Sequence, residues 1–167
     1  MLGRPPTTLR GRALAWLSQR EHSRTELHTK LGRWVATLDA AAAESSLPDG
    51  AASSAADAIE RLLDELEAAG HLSDERFVDS RVHSRQARFG NRRIEQELRQ
   101  HGLTLDDNAR VDLRASEAQR ASTVRAAKFG ALPSTMPDRA RQMRFLAARG
   151  FSSDAIRSAL RGEPNDT

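Results

Sequence analysis

Cysteine and tyrosine are both absent from the chain, and lysine occurs only at Lys30 and Lys128. Without cysteine there can be no disulfide, thiol nucleophile or thiolate metal site. Aromatic residues make up 4% of the sequence, so the core must be built from Leu, Ala, Ile and Val, as in elongated helical proteins with thin cores. No stretch approaches the roughly 20 apolar residues that span a bilayer. The opening Met1-Leu2-Gly3-Arg4-Pro5-Pro6 also lacks the apolar segment of a secretory signal, so a cytoplasmic, membrane-free protein is expected. His22, His28, His71, His83 and His101 are scattered, with no i,i+4 pair to start a metal site. No glycine-rich phosphate loop occurs. Glu95 and Glu97, two residues apart, diverge on a helix and cannot share acid–base work. Neither a cofactor nor an enzyme activity is expected.

What the sequence does have is arginine. Charged residues make up 29% of 167 residues and hydrophobic residues 38%, a polar but not disordered balance. All basic side chains other than the two lysines are arginines. Residues 1–72 carry 8 basic and 10 acidic groups, whereas residues 103–161 carry 11 and 6. Guanidinium groups suit bidentate contact with phosphate or carboxylate, so an anionic partner is favoured. The competing explanation of this bias is a genome rich in G and C that prefers arginine codons.

Periodicity predicts nine helices and almost nothing that resembles a strand. Leu9, Ala13, Trp16 and Leu17 share a face of the first, over Leu9 to Arg20. Ser23 and Glu26 form a capping box opening the second, whose stripe is Leu27, Leu31 and Trp34 or Val35. Residues 39–57, rich in Ala and Ser and holding the turn signal Pro48-Asp49-Gly50, read as a mobile loop flanked by frayed helix. Ala58, Ile59, Leu62, Leu63, Leu66 and Ala69 mark the third helix, which Gly70 stops. Ser73 caps the fourth, with Phe77, Val78 and Val82 inward and Phe89-Gly90 at its end. Asn91 caps the fifth, which carries Ile94 and Leu98 and stops at Gly102. A short sixth begins near Thr104 with Val111 and Leu113 buried. The seventh spans Glu117 to Phe129. A loop with Pro133 and Pro137 leads to the eighth, Asp138 to Arg149, and the ninth runs from Ser153 to Arg161.

One pattern recurs. Leu98-Arg99-Gln100-His101-Gly102-Leu103 matches Leu146-Ala147-Ala148-Arg149-Gly150-Phe151 position for position, the signature of a helix ended by a left-handed glycine with an apolar contact across it. The chain therefore reads as three successive three-helix units, 9–72, 73–115 and 116–161, between flexible tails at 1–8 and 162–167. Such small units bury too little alone and are expected to stack as in repeat proteins. The first departs from the pattern, because Val35 stands where the glycine would fall.

The candidate binding residues are arginines. Arg81, Arg85 and Arg88 lie at i, i+4 and i+7 on the fourth helix, and Arg92 and Arg93 sit in the first turn of the fifth. Positive charge there opposes the helix dipole, and free amides beside it would suit a phosphate or carboxylate. The alternative is a solvated face with Arg93 paired to Glu97. Arg139, Arg141, Arg144 and Arg149 mark the eighth helix, and Arg157 and Arg161 the ninth. Phe89, Phe129 and Phe151 are of a type that stacks on bases. Each sits beside a glycine at a helix end, however, where core packing is the expected role.

Four segments carry a family resemblance in their order along the chain: Arg20-Glu21-His22-Ser23-Arg24-Thr25-Glu26-Leu27, Gly70-His71-Leu72-Ser73-Asp74-Glu75-Arg76-Phe77, Gly90-Asn91-Arg92-Arg93-Ile94-Glu95-Gln96-Glu97-Leu98 and Arg144-Phe145-Leu146-Ala147-Ala148-Arg149-Gly150-Phe151. From about Leu9 to Arg161 the sequence resembles the RecX family. The resemblance implies tandem three-helix units in a curved, elongated shape, and a regulator of the RecA recombinase. Such proteins lie in the groove of the RecA–DNA filament and inhibit ATPase, strand exchange and coprotease activity; some bind DNA directly. The family pattern includes no catalytic residue and no compact set of contact residues. Where members usually have Gly-Phe after the second helix, this chain has Trp34-Val35 and the insertion. The expected partners are therefore the recombinase filament and single- or double-stranded DNA, met by a monomer. The competing expectation is a direct DNA binder of helix-turn-helix type with the fifth helix as reader, against which Glu95 and Glu97 would repel phosphate.

Overall fold

The structure is a computed structural model that describes residues 8–43 and 51–162. Among these the chain is all-α, with nine helices and no strand: α1 (Leu9–Leu17), α2 (Arg24–Ala43), α3 (Ala51–Ala68), α4 (Asp74–Gln86), α5 (Asn91–Gln100), α6 (Asp107–Ala115), α7 (Glu117–Phe129), α8 (Met136–Ala148) and α9 (Ser153–Arg161). The contacts divide it into two compact units, Met1–Phe77 and Val78–Thr167.

In the first unit α1, α2 and α3 pack on one another around Ala13, Leu27, Leu31, Ile59, Leu62, Leu63, Leu66 and Leu72. The heptad-like spacing on α3 places its apolar residues on one side, and each fully buried leucine contributes about 1.5–3 kcal/mol. Ser23 opens α2 as expected, its Oγ accepting from the Glu26 amide at 3.1 Å. Ser73 does the same for α4 through the Arg76 amide at 3.2 Å. Arg24, at the start of α2, reaches three carboxylates of α3, at 2.7 Å from Glu60, 2.7 Å from Asp64 and 2.8 Å from Glu67. The segment 39–57, expected as a loop with frayed flanks, is helical at 39–43 and 51–57. Alanine has the highest helix propensity, which lets the run Ala40–Ala43 extend α2. Pro48-Asp49-Gly50 and residues 1–7 and 163–167 of the two expected tails lie outside the described residues, whereas Thr8 caps α1 and Gly162 ends α9.

In the second unit α7, α8 and α9 enclose a core of Ala121, Leu146, Phe151, Ala155, Ile156, Ala159 and Leu160. Ile94, Leu98, Leu105 and Leu113 are buried on α5, ahead of α6 and on α6. The matched helix ends behave alike. The Leu103 and Phe151 amides donate back to the Leu98 and Leu146 carbonyls at 3.1 and 3.3 Å, across Gly102 and Gly150 at φ +73° and +82°. The same bond closes α3 at Gly70, where the His71 amide reaches the Leu66 carbonyl at 2.8 Å.

Several expectations of detail are corrected. α6 starts at Asp107, not near Thr104: Leu105 is buried first, and Asp106 then caps the helix by accepting from the Ala109 amide at 2.7 Å. Val111, expected inside, is 65% exposed while Leu113 is buried; two residues apart on a helix, they cannot share a face. α8 starts at Met136, capped by Thr135, so Pro137 lies in its first turn, where proline is tolerated because that N–H has no helical partner. Asn91 does not cap α5. Gly90 occupies the cap position and has no side chain to bond with, while the Asn91 side chain accepts from Arg120 instead.

Candidate functional site

The second unit is held by two side chains that the linear sequence gives no reason to single out. Glu117, 4% exposed at the start of α7, accepts from the Asn91 amide at 2.9 Å and the Ser152 amide at 3.2 Å with a single oxygen. One carboxylate thus faces the N-terminal ends of both α5 and α9, where negative charge is stabilised. Arg120, one turn on, donates to the carbonyls of Gln86, Phe89 and Leu113 at 3.1, 2.9 and 2.8 Å, to the Asn91 Oδ1, and to Ser116 Oγ at 3.2 Å. Burial lowers the Arg120 pKa from its ordinary value and the nearby Glu117 opposes that; at such a starting value the group stays charged.

These contacts, with two glycines, bring the end of α4 and the start of α5 against the end of α8. The Gly90 amide donates to the Arg149 carbonyl at 3.0 Å, and the Arg92 amide to the Gly150 carbonyl at 3.1 Å. A Cβ at Gly90 would lie 2.2 Å from the Phe151 nitrogen, and one at Gly150 would lie 2.6 Å from the Arg93 nitrogen. The backbones therefore meet where only glycine fits. The amides of Gly90, Asn91 and Arg92 are all used. The expectation that the α5 N-terminus offers free amides to an outside anion is corrected on this ground: a carboxylate and two carbonyls of the chain itself already take them.

What the interlock builds is a cationic, aromatic patch. Phe89, expected in the core, is instead half-buried, and the guanidinium carbons of Arg85, Arg88, Arg93 and Arg149 lie 5.6, 5.9, 5.9 and 5.9 Å from its ring centroid. Arg149 also covers Phe145 at 4.5 Å. Phe145 meets Phe129 edge-on at 5.2 Å and 87°, and Arg141 stands 5.4 Å over Phe129. Phe129, too, is half-buried, so of the three phenylalanines expected inside only Phe151 is in the core. Glu97 holds Arg85 at 2.9 Å and Arg93 at 3.3 Å, which bears out the Arg93 pairing. Among the described residues no carboxylate lies within 4 Å of Arg88, Arg141 or Arg149. A single carboxylate thus faces four guanidiniums around one ring. Cation–π contacts of this kind contribute about 0.5–1 kcal/mol each when exposed, and the remaining like charges repel one another.

The other candidate arginines are not gathered there. Arg81 is half-buried and has its own partner. Arg92 lines a separate groove of about 480 Å³ together with Arg110 and Arg114, where Glu95 and Asp154 offset the charge. Arg157 is paired with Asp154, and Arg161 also has a partner. Arg139 and Arg144, on α8, meet no carboxylate within 4 Å and lie over no ring among the described residues. Sequence spacing alone could not single out Arg141, because the ring it covers, Phe129, lies on α7; the Phe145–Arg149 contact, by contrast, joins residues four apart. Among the described residues no three His, Asp or Glu side chains could hold a metal ion, and no helix is long and apolar enough to cross a membrane.

Fold and patch together define an all-helical module that carries a cationic, aromatic surface. Family models for the second and third three-helix domains of RecX match residues 73–107 and 115–160. The chain is 45% identical over 159 residues to the regulatory protein RecX of Herbaspirillum seropedicae, covering 94% of this chain and 92% of that one. It is 42% identical over 163 residues to the regulatory protein RecX of Ralstonia nicotianae, covering 96% and 91%. The crystal structure of RecX from Lactobacillus salivarius superposes with a TM-score of 0.60 at 19% identity, covering 92% and 93% of the two chains, and so supports the fold. The chain belongs to the RecX family of regulatory proteins.

Proposed function

We propose that this protein is a non-catalytic modulator of the RecA recombinase, acting in the cytoplasm by binding the RecA–DNA filament in its groove and suppressing ATPase, strand exchange and coprotease activity. Membership of the family supports the partner. The observation that carries the mode of action is the cluster at Phe89, in which guanidiniums outnumber their carboxylate and are therefore poised for an external anion. The anionic surfaces of a nucleoprotein filament, DNA phosphates or recombinase carboxylates, supply that counter-charge. We further propose an organisation into three successive three-helix units at 9–72, 73–115 and 116–161; the family-model matches at 73–107 and 115–160 support the second and third of these.

The helix-turn-helix alternative, with α5 reading bases, finds no support in the geometry of α5. A recognition helix offers its N-terminal residues to the major groove, whereas the α5 N-terminus is bonded to α8 and capped by Glu117.

The experiment is ATP hydrolysis by the cognate RecA on single-stranded DNA, titrated with this protein. Inhibition well below one protein per recombinase monomer is expected. No effect at saturating protein would overturn the proposal.

A further inference from the structure

Beside the Phe89 cluster lies a groove of about 290 Å³ formed by the end of α4, one face of α7 and the end of α8. Its floor is hydrocarbon: Ala87, Val124, Ala127 and Phe145. Its rim is cationic, with Arg88, Lys128 and Arg149 and no carboxylate among the lining residues. None of these three cations has an ion-pair partner within 4 Å among the described residues. The larger groove at Arg92 differs in kind, because its arginines share the space with Glu95 and Asp154.

We infer that this groove is a binding site for a partner protein's acidic segment, taking one bulky apolar side chain onto the floor while flanking carboxylates meet Arg88, Lys128 and Arg149. The inference deepens the reading of the chain as a protein-binding regulator and rests on it. Charge complementarity supplies the sign of the partner. The floor supplies its class. A nucleobase carries donors and acceptors on its edges that lose water on entering and need replacements. Ala87, Val124, Ala127 and Phe145 have none to give, the one side-chain hydroxyl, Thr123, already donates to the Gln119 carbonyl at 3.1 Å, and the rim cations can donate to a base's acceptors but cannot accept from its donors. Stacking is also pre-empted, since Arg149 covers a face of Phe145 and Phe129 packs against the same ring. A leucine or phenylalanine side chain makes no such demands and fills the space as a buried anchor does at protein interfaces.

The test is fluorescence anisotropy of the full chain with three labelled probes. These are a short Asp/Glu peptide with one central leucine, the same peptide with serine in its place, and an oligothymidylate of equal length. The leucine peptide is expected to bind about tenfold tighter than the serine peptide, from burial of one side chain. Ala127→Glu, at an exposed helical position on the floor, should remove that advantage with the helical circular dichroism unchanged. Arg88→Ala should weaken both peptides alike. Equal binding of the two peptides would overturn the proposal, as would an Ala127→Glu variant that keeps the preference. Tighter binding of oligothymidylate than of the leucine peptide, abolished by Ala127→Glu, would reassign the groove to nucleic acid. The outcomes separate from those of the regulator reading. Failure of the peptides alongside intact inhibition of the recombinase sinks only the groove assignment, whereas loss of inhibition by the wild-type chain sinks the regulator reading itself.

Discussion

Three glycines allow the α5–α8 interlock to be measured by single methyl groups. Gly102 has φ +73°, and a Cβ there would meet nothing within 4 Å, so Gly102→Ala carries only the left-handed backbone cost, about 1–2 kcal/mol. Gly90 has an ordinary φ of −78°, but its Cβ would sit 2.2 Å from the Phe151 nitrogen and 2.3 Å from the Gly150 carbonyl. Gly90→Ala therefore carries only overlap, about 1–3 kcal/mol when backbone must shift. Gly150, at φ +82° and 2.6 Å from the Arg93 nitrogen, carries both, about 2–5 kcal/mol. Urea unfolding followed by far-ultraviolet circular dichroism gives the three values. Amide exchange at Arg92, whose N–H bonds to the Gly150 carbonyl, shows whether the loss falls at the interlock. Gly150→Ala is expected to be the most damaging and to accelerate Arg92 exchange. This ranking is refuted if Gly90→Ala and Gly150→Ala are no worse than Gly102→Ala.

Glu117→Gln replaces a charge-assisted acceptor at two helix starts with a neutral one and should destabilise the second unit by about 1–3 kcal/mol; a thermal midpoint equal to wild type would contradict the keystone role. His22 is buried, with Nδ1 donating to the Arg20 carbonyl and Lys30 donating to Nε2 at 2.9 Å. Burial lowers its pKa, the Arg20 carbonyl and Glu26 opposing while the Arg20 and Lys30 charges reinforce the shift. The folded form therefore holds fewer protons than the unfolded one. Its contribution is present above the unfolded value of about 6.5 and is lost as pH falls below it. Trp16 and Trp34, the two tryptophans of the chain, both lie in the first unit, so the urea midpoint by fluorescence should drop from pH 7 to pH 5 in wild type and drop less in His22→Gln. Val111→Lys, at a 65% exposed position, should change stability by no more than about 0.5 kcal/mol; a large loss would mean that Val111 is covered.

The helices were legible because their signals are local. Apolar spacing on α3, serine caps at α2 and α4, and the Leu-x-x-x-Gly ends at Gly102 and Gly150 each involve residues within a turn or two. The errors come where a longer-range contact decides. Asn91 looks like a cap until Glu117 and Arg120, more than 25 positions on, claim its amide and side chain. Phe89 looks like core because it precedes a glycine, yet Arg149 arrives from α8 to help keep it at the surface. Val111 is the exception, since its conflict with Leu113 was readable from helical geometry alone. The candidate arginines follow from spacing along single helices. Their sorting into one patch depends on the Gly90–Gly150 approach between α5 and α8, which no periodicity encodes.

The most direct test of the account is a side-by-side titration of RecA ATPase on single-stranded DNA with the wild-type protein and an Arg88→Ala/Arg149→Ala variant. Both proteins should show the same helical circular dichroism. Inhibition by the wild type is expected, with a midpoint raised at least about tenfold in the variant, as for loss of two charge contacts at an interface. Equal inhibition by the two proteins would contradict the claim that the Phe89 arginine patch is what engages the filament.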